Sequence, residues 1–233
     1  MATTTQSDPT PDTTPPTAPD GTPYDLDFHF DPVCPFAWQT SRWITRVVEL
    51  EGIAVRWRFI SLRMVNEDRL DTYSDAYKCA HERSHRYLRV LASVRDAVGE
   101  EPIAGLYTAW GEGRWYSAPE DVPPGDDSTI AGILAAAGID PSHLEAADDE
   151  RWDKVIRAET DEALARTGPD VGTPILTYWP HGTALFGPVI STVPDDETSL
   201  EMYRAVRTLV DYPGFAEVKR TNRPPLDLPA LAG

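Results

Sequence analysis

The strongest constraint on how this chain can fold is the order in which its hydrophobic spacing changes. Leu26, Phe28 and Phe30 alternate with Asp25, Asp27 and His29 until Asp31-Pro32 interrupts them, which is the pattern of a strand whose two faces differ. Pro35 suits the first turn of a helix. Ile44, Val47 and Val48 then repeat at helical spacing and Gly52 offers a left-handed stop, so a helix is expected over about 35–51. Alternation returns in Val55, Trp57 and Phe59, with Arg56 and Arg58 between them. A helix between two strands can carry a parallel crossover, so the chain opens as a βαβ unit.

From Ser61 to about Thr167 the spacing turns helical and stays so. A stripe from Tyr73 through Tyr77, Tyr87 and Leu91 to Val98 predicts a long amphipathic helix ending at Gly99. Ser128 is expected to cap a segment carrying Ile130, Ile133 and Leu134, Asp140-Pro141 to start the next, and Trp152 to Ala163 to mark a last helix closed by Gly168. Strand character resumes at 174–178 and 183–187, which read as a hairpin, and a helix over about 197–211 follows. The whole reads as an α/β chain of order βαβ…ββα with a large α-helical insertion, which is a thioredoxin fold interrupted in the middle. The expected parts are a disordered tail over 1–22, a thioredoxin-like domain over 23–61 and 168–226, an inserted helical domain over 62–167, and a C-terminal tail over 227–233. The first tail is dense in Pro, Thr and Asp and has no large apolar side chain beyond the initiator Met, too little to offset the entropy of ordering it.

A net charge of −17 argues against a nucleic-acid partner, which needs a basic footprint. No run reaches the roughly 18 apolar residues of a membrane span, and no basic stretch followed by an apolar one opens the chain, so no membrane association and a cytoplasmic location are expected. Two cysteines in 233 residues make no secreted-protein framework, and both thiols are expected to be free.

The chemistry is expected where the first strand meets the first helix, at Asp31-Pro32-Val33-Cys34-Pro35. A cysteine there faces unpaired backbone N–H groups and the positive end of the helix, which favour the nucleophilic thiolate over a free thiol of pKa about 8.5. The alternative is a buried, inert cysteine. Thr173-Pro174, just before the hairpin, stands where thioredoxin-like proteins carry a cis-proline, which would turn the Thr173 backbone toward a thiol substrate. Cys79 reads as a partly exposed cysteine, and His81 and His85 as part of a solvated helix face, with no metal site assigned. The acidic runs at Asp126-Asp127, Asp148-Asp149-Glu150 and Asp195-Asp196-Glu197 read as helix-start charges. Trp43, Trp57, Trp110, Trp115 and Tyr116 read as packing, although an aromatic helical domain over Cys34 suits a planar substrate.

The run FDPVCPFAW, the segment SLRMVNEDR, the VGTP and FGPV stretches of the hairpin, and YPGFAEVKRT together resemble the mycothiol-dependent nitroreductase branch of the DsbA-like thioredoxin superfamily, over nearly all of residues 24–226. That resemblance implies an actinobacterial thiol-disulfide oxidoreductase with a helical domain set into a thioredoxin fold, using mycothiol as co-substrate and no tightly bound flavin or metal. It implies Cys34 as nucleophile, Pro174 as the cis-proline, and Pro35, Phe36, Trp38, Asn66 and Thr173 as substrate-binding residues. The family's redox motif usually reads Cys-Pro-Trp-Cys, whereas this chain has Cys34-Pro35-Phe36-Ala37. With no second sulfur to attack a mixed disulfide from within, the implied chemistry is monothiol exchange with a low-molecular-weight thiol acting on a small-molecule or mixed-disulfide substrate. A kappa-class-like thiol transferase or isomerase and a non-catalytic thioredoxin-fold binding protein stay open as alternatives, as does a homodimer.

Overall fold

The computed structural model of the protein describes residues 14–118, 121, 125–220 and 222–231. Its centre is a four-stranded sheet of β1 (Leu26–Phe30), β2 (Val55–Phe59), β3 (Ile175–Tyr178) and β4 (Thr183–Phe186) in the order β2-β1-β3-β4. β1 runs parallel to β2, Phe28 opposite Trp57, and antiparallel to β3, Phe28 opposite Leu176. The helices are α1 (Pro35–Glu51), α2 (Leu62–Val65), α3 (Asp75–Val98), α4 (Ile103–Trp115), α5 (Asp127–Ala136), α6 (Asp153–Thr167) and α7 (Asp196–Val210). α1 supplies the crossover between β1 and β2, while α2 to α6 lie between β2 and β3, as the expected insertion does. The mixed α/β architecture, a thioredoxin fold interrupted by helices, agrees with the order read from the sequence.

All five residues of β1 are buried, so both of its faces are covered. The face of Leu26, Phe28 and Phe30 meets α1, α7 and the insertion: Phe30 stacks on Tyr107 of α4 at 4.0 Å between ring centroids, and the Trp43 indole of α1 donates to the Ser199 carbonyl of α7. The polar face is covered by α6, whose charges complement it. Arg56 makes a bidentate pair with the buried Asp27, and Arg58 reaches Glu159 and Glu162 of α6. Burial without an opposite charge would be costly on this face, so the pairing is what lets α6 cover it. One apolar cluster runs from the sheet through Tyr87, Leu106, Ile130 and Ile156, and the insertion thus shares its core with the sheet.

Three local expectations differ from what is observed. Residues from Pro16 double back, with Tyr24 N–H donating to the Pro16 carbonyl and Ala18 N–H to that of Thr22, so the edge of the expected tail is held by backbone hydrogen bonds around Gly21 at φ +85°. The rest of that tail, residues 1–13, lies outside the described residues. The C-terminal stretch expected as a tail from 227 is docked instead: Leu228 is buried, Gln39 donates to the Asp227 carbonyl, and Asp227 N–H donates to that of Ser191. Finally, Asp126 rather than Ser128 caps α5, accepting from Thr129 N–H, because the helix starts two residues earlier than its apolar spacing indicates.

Candidate active site

Cys34 is the N-cap of α1, with extended backbone (φ −88°, ψ 113°) and Pro35 in the first helical position. Pro35 has no N–H to leave unsatisfied there, and its fixed φ already suits a helix. The Cys34 sulfur accepts from Ala37 N–H at 3.4 Å and donates to the Thr173 carbonyl at 3.4 Å, across a separation of 139 residues. Thr173 is in turn held by its hydroxyl on the His29 carbonyl, and the Thr173–Pro174 bond is cis. Ala37, one turn along, is fully buried against the sulfur.

Behind the cysteine loop lies Asp31, itself almost fully buried. One carboxylate oxygen accepts from Val33 N–H and the Ser84 hydroxyl of α3, and the other from Leu62 N–H at the start of α2. One side chain therefore ties the end of β1 to two helices of the insertion. Burial pushes its carboxyl above the usual range, against the pull of those three donors.

The thiolate expected from the helix start is not the form this site favours. Burial pushes the Cys34 thiol up to about 12; the Ala37 and Phe36 N–H groups act downward, and the Asp31 charge acts upward. Cys34 is only 8% exposed, so the closed site holds it as a thiol that donates to Thr173. The helix-start contribution is present and is outweighed by desolvation.

The family model described as "Rv2466c-like: Mycothiol-dependent nitroreductase Rv2466c" matches residues 33–220, from Val33 beside the cysteine through α7 and beyond. The chain belongs to this family. Membership makes it an oxidoreductase. The uncharacterized protein Rv2286c of Mycobacterium tuberculosis is 31% identical over 206 residues, covering 85% of this chain and 83% of that protein. Two solved structures share the fold. The cytosolic disulfide reductase DsbM from Pseudomonas aeruginosa has a TM-score of 0.54 at 12% identity, over 78% of this chain and 98% of that one. A 2-hydroxychromene-2-carboxylate isomerase has a TM-score of 0.53 at 16% identity, over 79% and 95%.

The residues that the family resemblance singles out are only partly brought together. The Thr173 carbonyl meets the Cys34 sulfur, with Pro35 next in the helix and Pro174 joined to Thr173 by the cis bond. Phe36 is half-buried beside them, with Arg223 from the C-terminal stretch over its ring at 5.5 Å. Trp38, expected as a cleft wall, is fully buried and lies against the backbone of Gly111 in α4, where a Cβ would stand 2.1 Å from the indole. It is a packing residue between α1 and the insertion. Asn66 ends α2, and its amide donates to the Leu62 carbonyl while its carbonyl accepts from Arg69 and Tyr73. Leu62 also approaches Gly172, beside Thr173, so Asn66 stands at the far end of the segment flanking the cis-proline loop.

His81 and His85 are buried rather than solvated. His81 stacks on Tyr77 at 3.7 Å, and His85 bridges the Ser61 hydroxyl and Asp153. Cys79 is exposed and unpaired. Asp31 and Ser84 are the site residues that sequence reading missed. Asp31 reads in one dimension only as the end of a strand, although a carboxylate at a strand end beside a candidate nucleophile is itself a signal.

Proposed function

We propose that the protein is a thiol-disulfide oxidoreductase that works by monothiol exchange at Cys34, with mycothiol as the low-molecular-weight thiol, in a reducing cytoplasm. The observation that carries this reading is the sulfur placed between Ala37 N–H and the Thr173 carbonyl, with alanine where a resolving sulfur would stand. A substrate laid along the Thr173 backbone takes over that carbonyl with an N–H beside its disulfide and displaces the thiol's hydrogen bond, the thiol proton passing to solvent. The sulfur is left facing the Ala37 and Phe36 N–H groups, which favour its thiolate. The thiolate attacks the mycothiol sulfur of a mixed disulfide, so a Cys34–mycothiol S–S bond forms, the old S–S bond breaks, and the released substrate thiolate takes a proton from solvent. A second mycothiol then attacks the Cys34 adduct, leaving mycothiol disulfide and the free cysteine. Any two-electron reduction of a nitro compound at this site draws its electrons from two external thiols, since Ala37 supplies none.

The test is intact-protein mass after exposure to mycothiol disulfide. With Cys79→Ser as background, one mycothiol adduct should appear on Cys34, persist in thiol-free buffer, and disappear on addition of reduced mycothiol, while Cys34→Ser in that background acquires none. An adduct confined to Cys79 in the wild type, or no adduct with mycothiol disulfide, overturns the reading.

A further inference from the structure

A cavity of about 150 Å³ lies between α3, α4 and α5, and Val33 of the cysteine loop forms part of its wall. Its body is apolar: Ala80 of α3, Trp110 of α4 and Ile133 of α5 line it, and an apolar cavity on the order of 150 Å³ holds a single benzene ring. Two guanidinium groups complete it, Arg83 and Arg114. Neither has a carboxylate partner among the described residues, and none of the described lining residues is acidic. Most other arginines here are paired, including Arg86 and Arg89 on the same helix as Arg83, so two unpaired cations in a chain of net charge −17 stand out. Burial and the neighbouring Arg83 charge both hold the Arg114 guanidinium below its ordinary value, the mark of two cations sharing one space without an anion between them. The Trp110 indole N–H is buried, with no acceptor among the described residues, while its ring is fixed by stacking on Tyr87 at 4.4 Å.

We propose that this cavity binds a single-ring aromatic carboxylate, the ring lying in the apolar body and the carboxylate on Arg83 and Arg114, and that it thereby selects the small-molecule substrate presented to the cysteine loop. The second half of that statement rests on the thiol chemistry proposed above; the binding itself does not. Guanidinium groups suit carboxylate oxygens because each offers paired N–H donors in a planar fork. The partly buried Arg114 guanidinium, with no carboxylate beside it among the described residues, is a cost that such an anion removes. Val33 places the bound ring next to Cys34 in the chain, and Val33 N–H is itself held by Asp31 and Ser84, so the wall it forms is fixed.

The experiment is calorimetric titration of the full chain with benzoate and, separately, with benzamide, which has the same ring and no charge. Benzoate should bind about tenfold or more tightly than benzamide at low salt, the margin shrinking as ionic strength rises. Arg114→Met should reduce benzoate affinity about tenfold and leave benzamide within twofold, and Arg114→Lys should recover part of the loss. Arg83 is exposed at the mouth, so Arg83→Met keeps the fold and should weaken benzoate on its own. Cys34→Ser should bind benzoate like the wild type, which separates failure of the pocket from failure of the thiol mechanism. Equal affinity for the two probes, no saturable benzoate binding at millimolar concentration, or benzoate binding unchanged in both arginine variants overturns the proposal.

Discussion

Cys34 is subject to two opposing influences at one atom: a helix start that favours charge and a closed wall that forbids it. The second prevails while the site is shut, so reactivity toward a small alkylating agent should be governed by access. At pH 7 iodoacetamide is expected to label the exposed Cys79 before Cys34, and the Cys34 rate should keep rising above pH 9, both followed by peptide mass spectrometry. Faster labelling of Cys34 at pH 6 would show an open, thiolate-bearing site instead. The same raised thiol gives a stability contribution that is fully present below the unfolded thiol's pKa of about 8.5 and is lost as pH climbs toward about 12. Denaturant unfolding at pH 8 and above pH 10 should therefore show a smaller alkaline loss for Cys34→Ser than for the wild type. Ala37 is the other residue on which the chemistry turns. Its neighbour relation to the sulfur means that Ala37→Cys should close a disulfide with Cys34 on oxidation, and that a small-thiol adduct on the variant should collapse in thiol-free buffer. A wild-type adduct that collapses equally fast would require another sulfur to reach Cys34 and would exclude the monothiol route.

Between elements, the site depends on two contacts that hold the insertion against the sheet. Asp31 clamps β1 to α2 and α3 through three donors, and Asp31→Asn presents an NH₂ group where an acceptor is needed. A loss of about 1–3 kcal/mol is expected by denaturant unfolding, accompanied by a shift of the Cys34 alkylation profile to lower pH as the neighbouring charge disappears. An unchanged profile would mean that Asp31 does not act on the sulfur. The second contact is the seat of Trp38 on α4. Gly111→Ala should destabilise by about 1–3 kcal/mol or more, since the added carbon meets the indole. Gly105→Ala in the same helix meets nothing and should stabilise by up to about 1 kcal/mol. Equal effects of the two, measured by thermal melts, would place Trp38 elsewhere.

For the molecule as a whole, the C-terminal stretch closes over the α1 and α4 side, so the fold extends past the last long helix. Ending the chain at residue 225 removes the buried Leu228 and the acceptor of Gln39. This should cost about 2 kcal/mol and lower the midpoint of urea unfolding; no change would mean that the stretch is a passive tail. The shared apolar cluster predicts that the insertion and sheet unfold together in one transition.

The strands, the long helices, their order and the cysteine at the helix start were legible in the sequence because each depends on the spacing of neighbouring side chains. Thr173-Pro174 was legible too, since its position relative to the hairpin is a local fact. What the sequence left open depended on approach across long separations. The burial that makes Cys34 a thiol comes from a wall 139 residues away, and Trp38 became packing only because Gly111 lets α4 come close. His81 and His85 became buried because the insertion packs tightly around α3, and the chain end is anchored because Leu228 is buried and Gln39 of α1 donates to the Asp227 carbonyl. Arg83 and Arg114 are unremarkable as helix residues and share a cavity only once α3 and α4 are side by side. Local spacing encodes which element forms, whereas desolvation and charge at a site follow from what the packed elements exclude, and that is decided by tertiary structure.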